Sequence, residues 1–200
     1  MVDPALQNPF VCEPQPLTVD NSKFLGHHVL GRYGGMSLRP LEQWICDRCS
    51  EVVLQPDHGW IEWLRNEERG KCKEFRIVHH TAHSPCKPDG NCYLHARPPT
   101  GYMRLDEPLD TFLGGKDRQR VMPLLLSFVD EGPYLQPSYN GPRVEDLREW
   151  VDLTKRLTIP YYEEARQYMD RAKAGGSFVG GDSAMYHPAN LQGFIKDYSH

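Results

Sequence analysis

The chain predicts an α+β fold in which a small β-hairpin module packs on a helical C-terminal part. Three observations carry this. Gly59-Trp60-Ile61-Glu62-Trp63-Leu64 and Phe75-Arg76-Ile77-Val78-His79-His80 are two stretches of β type, rich in aromatic and β-branched residues, on either side of a charged segment containing Gly70. The last third of the chain repeats apolar residues at helical spacing. Most of the Cys and many of the His fall in and around the two β stretches, beginning with Cys46-Asp47-Arg48-Cys49.

Composition sets the class. Of 200 residues, 39% are hydrophobic and 25% charged, which is enough apolar surface for a core. The 17 Gly and 17 Pro place a sizeable share of the chain in turns and loops. A net charge of -4 provides no basic field to hold a polyanion non-specifically. The longest apolar stretch, Val121 to Val129, is interrupted by Pro123 and Ser127 and falls far short of a membrane span. The N-terminus lacks a basic-then-apolar signal pattern, so a soluble cytoplasmic protein is expected.

Residues 1–40 read as an extended Pro-rich arm, because Pro4, Pro9, Pro14 and Pro16 forbid a helix, and Gly26 to Gly35 reads as loop. Residues 41–100 form the β module, with Pro88-Asp89-Gly90-Asn91 as a strong turn. Residues 101–200 are expected to be mainly helical and to form one unit with the module. Asp117 to Glu131 reads as a helix kinked or opened by Pro123. Val144, Leu147, Val151 and Thr154 line a stripe, with Trp150, Leu153 and Leu157 beside it. Pro160 opens a second helix that Gly175 stops, and Pro188 opens a third with Leu191, Phe194, Ile195 and Tyr198 on its buried side.

The chemistry lies in the module. Cys46 and Cys49, at Cys-x-x-Cys spacing, can direct two thiolates at one tetrahedral ion. A second group follows: His79, His80, His83, Cys86, Cys92 and His95. Thiolate and imidazole together suit zinc over calcium or magnesium. A redox dithiol normally opens a helix in a βαβ unit, whereas β-type sequence follows here. A disulfide framework belongs to small secreted chains. His79 and His80 are adjacent on a strand and face opposite sides. With Phe75 and Ile77 pointing into the core, His79 goes with them, and His80 is left to swing toward the knuckle. Cys92 follows the Pro88–Asn91 turn and can return to the site. The expected set is therefore Cys46, Cys49, His80 and Cys92 around one structural zinc, with His83 and Cys86 as the competing pair. Cys12 and Cys72 read as ordinary residues, and His27, His28, His58 and His187 read as having no metal role. Such a site is coordinatively closed and stabilises rather than catalyses. A non-enzymatic binding or adaptor protein is expected, with another protein as partner in preference to nucleic acid.

The segments Trp44 to Cys49, Gly59 to Leu64 and Phe75 to His80 resemble a zinc-ribbon-type module found in a small class of uncharacterised bacterial zinc-binding proteins. A further resemblance is to the HNH endonucleases, on Ile77-Val78-His79-His80, Gly90, Asn91 and His95. It implies His80 as general base, His95 as metal ligand and Asn91 as the residue orienting the base. A helix-turn-helix regulator is a second alternative, with Val144–Leu157 and Pro160–Ala174 as its helices and Arg166, Arg171 and Lys173 facing DNA. No phosphate loop, nucleophile elbow or His-Glu-x-x-His helix occurs.

Overall fold

The computed structural model describes residues 37–86, 91–114, 121–129, 142–177 and 184–199. The proline arm lies outside them up to residue 36, as do Cys12, His27, His28 and residues 87–90, which include Pro88, Asp89 and Gly90 of the expected Pro88–Asn91 turn. The fold is mixed α+β, with small antiparallel sheets and helices.

Strand β1 (Trp44–Ile45) pairs with β2 (Val52–Val53) as the two legs of a short hairpin. Strand β3 (Gly59–Asn66) pairs antiparallel with β4 (Cys72–His79), so both β stretches expected from the sequence form strands. Their connection closes where Asn66 N–H donates to the Lys71 carbonyl at 2.7 Å, and Gly70 supplies the left-handed residue at φ 66°. The register shifts between Glu62 and Leu64, where Glu74 forms a bulge at φ 56°. The bulge is pinned from two directions. Glu74 N–H donates to Glu149 Oε2 at 2.6 Å, and the Glu74 carbonyl accepts from His95 Nε2 at 3.0 Å.

A third strand, β5 (Tyr102–Pro108), covers the other edge of β3, giving the order β4-β3-β5. The sheet thus draws on a segment expected to belong to the helical part. Helix α1 (Leu109–Phe112) follows β5 directly. Its Leu109 packs so close to Gly59 that a Cβ there would lie 2.9 Å from Leu109 Cδ2.

Helix α2 (Val121–Val129) carries Pro123 near its start. Helix α3 (Leu147–Thr158) begins three residues later than the apolar stripe suggested, because Asp146 caps it by accepting Arg148 N–H at 2.8 Å, while Val144 bridges to Cys72. Trp150, Leu153 and Leu157 form its buried stripe, and Leu147 and Val151 are exposed. Trp150 meets Phe75 of β4 and Phe128 of α2, each at 4.8 Å between ring centroids, so the aromatic core joins sheet to helices. The continuous helix expected over Pro160–Ala174 is instead α4 (Tyr162–Ala165) and α5 (Met169–Ala174), with a turn at 166–168. Helix α6 (Pro188–Tyr198) starts at Pro188 and buries Leu191 and Phe194 in a second cluster with Tyr162, Ala165 and Ala172. Among the described residues no helix is long and apolar enough to cross a membrane.

Candidate metal centre

The β1–β2 hairpin exists to present a tight turn. Cys46 N–H donates to the Glu51 carbonyl and Ser50 N–H to the Cys46 carbonyl, each at 2.9 Å, and Ser50 takes φ 63° to let the chain reverse. This turn brings Cys46 and Cys49 to the same point. It is docked on the open edge of β4: Asp47 N–H donates to the Ile77 carbonyl at 2.8 Å, and Asp47 Oδ2 accepts Ile77 N–H at 2.7 Å.

That docking selects the histidine. Two residues beyond Ile77, His79 places Nδ1 3.4 Å from Cys49 Sγ and 3.7 Å from Cys92 Sγ. The donor atoms of Cys46, Cys49, His79 and Cys92 all lie within 4.8 Å of one another. A tetrahedral ion with bonds of about 2.3 Å to sulfur and about 2.0 Å to nitrogen has sulfur–nitrogen edges of roughly 3.5 Å, which the two separations bracket. Cys46, His79 and Cys92 are buried and Cys49 is half-buried, so this Cys₃His cluster could hold a metal ion largely shielded from water.

The surroundings fix the donors. His79 Nε2 lies 3.3 Å from the Val52 carbonyl oxygen, which places a proton on Nε2 and turns Nδ1 toward the sulfurs. Ser84 Oγ accepts Cys86 N–H at 3.1 Å, so its own proton is free to donate to Cys92 Sγ, 3.1 Å away. Burial pushes the Cys46 thiol up, assisted by its hydrogen bond to Cys49. Hydrogen bonds from Cys46 and then Cys49 hold Cys92 far below the ordinary thiol range, against its burial. Burial disfavours the His79 imidazolium, but Cys49 and Cys92 outweigh it and its pKa is pushed up to about 10.

Of the four residues expected as ligands, the structure brings together Cys46, Cys49 and Cys92. The fourth member of the cluster is His79, where His80 was expected. His80 caps the turn Thr81–His83, where its Nδ1 accepts Ala82 N–H at 3.1 Å, spending the one lone pair of a neutral ring. Its ring stacks on Trp60 with centroids 5.2 Å apart. Strand alternation itself held, since His79 does share the side of Ile77. The knuckle docks on that side and not on the side of His80. His83 is exposed and stacks on His58 at 3.6 Å, and Cys86 stands outside the cluster. His95 is buried against Glu74, Asn91 occupies a turn at φ 69°, and residues 96–99 form no helix. Arg166 is engaged by Asp47, Asp152 and Glu163.

Sequence reasoning missed Asp47 and its partners. Arg156, 3% exposed, donates through Nη1 to Asp47 Oδ2 at 2.8 Å and through Nε to Glu163 Oε2 at 2.7 Å. Burial raises the Asp47 carboxyl, but Arg156 and Arg166 outweigh it and hold it below the usual carboxylate range. Burial likewise opposes the Arg156 charge, and Asp47 and Glu163 more than restore it. An acid between two knuckle cysteines, with Arg and Glu seven residues apart in the helices, was the available signal.

Comparison with known proteins finds no matching family model, no matching curated protein and no matching solved structure.

Proposed function

We propose that Cys46, Cys49, His79 and Cys92 hold one structural Zn²⁺, and that the protein is a non-enzymatic, zinc-stabilised binding or adaptor module whose partner is another protein. The observation that carries this reading is the convergence of four donors from three chain segments, with the outer nitrogen of His79 already committed to the Val52 carbonyl. Three thiolates and an imidazole are a zinc donor set, and four protein ligands leave no position for a reactive water. The net charge of -4 supports a protein partner over a polyanion.

Metal analysis after chelator-free purification tests the site, with about one zinc per chain expected. Well below half an equivalent overturns it. Cobalt substitution should give the intense thiolate charge-transfer absorption of a tetrahedral sulfur-rich site. For the function, mobility-shift and cleavage assays in low salt should show neither binding nor cutting of DNA, and metal-dependent cleavage would replace the adaptor reading with a nuclease.

A further inference from the structure

The residues on either side of Cys46 are hooked to the helices at every step. Trp44 Nε1 donates to the Arg156 carbonyl at 3.1 Å, Ile45 N–H donates to Glu163 Oε1 at 2.9 Å, and the Ile45 carbonyl accepts Arg156 Nη2 at 3.1 Å. Asp47 then takes both guanidinium groups, Arg156 on Oδ2 at 2.8 Å and Arg166 on Oδ1 at 3.2 Å. The same Oδ2 holds Ile77 N–H, so one carboxylate ties knuckle, sheet edge and helices together. Arg156 in turn makes a two-point contact with Glu163, through Nε at 2.7 Å and Nη2 at 2.9 Å.

From this geometry we infer that metal loading is transmitted to α3 and α4 through Asp47, so that the loaded knuckle is the condition for the α4 segment to dock. The inference rests on the reading of Cys46, Cys49, His79 and Cys92 as a metal site. Helix α4 spans only Tyr162–Ala165, too short to persist on its own, and follows Tyr161 at φ 68°. Its position depends on Glu163 bonded to Arg156 and Ile45, and on Glu164 bonded to Leu38 N–H at 3.0 Å. When the cation leaves, the bonds that draw Cys46 and Cys49 toward His79 and Cys92 are lost, and the turn carrying Asp47 is free to open. Arg156 is then a buried guanidinium that has lost one of its two carboxylates, and its alternative is to move toward water, taking α4 with it. The coupling is reciprocal: the factor by which metal loading favours the docked α4 segment is the factor by which the docked segment tightens metal binding.

Amide hydrogen exchange on the full-length, zinc-loaded protein tests this, with zinc content measured in every sample. Wild type is compared before and after chelation, and alongside loaded Asp47→Asn, loaded Arg156→Met and loaded Arg156→Lys. The inference expects loaded Asp47→Asn and Arg156→Met to exchange about tenfold faster over residues 159–168 while β3 and β4 amides keep their wild-type protection, and to bind zinc about tenfold more weakly. Arg156→Lys, which keeps the charge, should recover part of both. If loaded Asp47→Asn protects 159–168 as wild type does and binds zinc with unchanged affinity, the inference is overturned while the metal site stands. The same holds if chelation removes zinc and leaves 159–168 protected. If the purified wild-type protein carries no zinc and takes up none, the metal reading itself fails.

Discussion

Glu62 Oε1 accepts Leu94 N–H at 2.7 Å, so a carboxyl at the centre of the sheet holds the segment two residues beyond Cys92. Glu62 is fully buried, and its other oxygen, Oε2, has no hydrogen-bond partner among the described residues. Burial raises its pKa, and the Leu94 N–H and the nearby His95 only partly offset this. The folded state therefore holds the Glu62 proton more tightly than the unfolded chain. Its contribution to stability is greatest below the ordinary glutamate range and is lost as pH rises through the raised value. Glu62→Gln keeps the acceptor for Leu94 and removes the ionisation, so it should equal or exceed wild type in thermal stability at pH 8 and lose that advantage near pH 4. Glu62→Leu orphans Leu94 N–H and should cost about 1–3 kcal/mol. Chemical denaturation of the three proteins at both pH values checks this, and a Gln variant less stable than wild type at pH 8 would contradict it.

His79→Ala and His80→Ala should behave as opposites. On the proposed zinc reading, the first removes a donor 3.4 Å from Cys49 and should reduce bound zinc to near zero, along with the stability that metal binding would supply. The second removes the Ala82 cap and the Trp60 stack, a change of roughly 0.5–2 kcal/mol, while zinc stays at wild-type stoichiometry. Metal content and melting temperature of the two variants decide the matter.

The contrast between those two histidines marks where the sequence stops being legible. Cys-x-x-Cys spacing and the turn before Cys92 are local, and both point to residues that the structure brings together. The choice between His79 and His80 is not local. It depends on which edge of β4 receives the knuckle, and that is settled by the Asp47–Ile77 hydrogen bonds across thirty positions of chain. Strand β5 hides for a related reason. Residues 104–108 are all half-buried, Arg104, Asp106 and Glu107 among them, so no apolar alternation marks a strand that exists because β3 has an edge to cover. The break between α4 and α5 is equally non-local, since Arg166 is drawn toward Asp47 and Glu163 where the apolar pattern continues.

Ser50 occupies the left-handed region at φ 63° immediately after Cys49, a conformation that costs a residue with a Cβ about 1 kcal/mol and glycine nothing. Ser50→Gly should therefore stabilise the loaded protein by up to about 1 kcal/mol, less the extra freedom gained by the unfolded chain. Ser50→Val, β-branched in the same position, should destabilise it and loosen the knuckle. Equilibrium unfolding with zinc present gives the sign directly, and Val equal to or better than Ser would count against the strained turn.

Gly59 sits at the start of β3 opposite His79, where the sheet, the knuckle hairpin and α1 meet. A Cβ there would lie 2.9 Å from Leu109 Cδ2 and 3.0 Å from Val53 Cγ1, closer than carbon atoms tolerate. Its φ of -121° is ordinary, so the requirement for glycine is one of space and not of backbone freedom. Gly59→Ala should cost about 1–3 kcal/mol by overpacking. Because Val53 follows Val52, whose carbonyl orients His79, the displacement should also reach the proposed metal donors and, on the zinc reading, lower zinc affinity. Trimming the obstructing group separates the two effects: Leu109→Val in the Gly59→Ala background should recover part of the lost stability, whereas each change alone destabilises. A double-mutant cycle read by thermal unfolding, with zinc titrations run on the same four proteins, should show the two changes coupled, and strict additivity would mean that the close approach at Gly59 does not govern this junction.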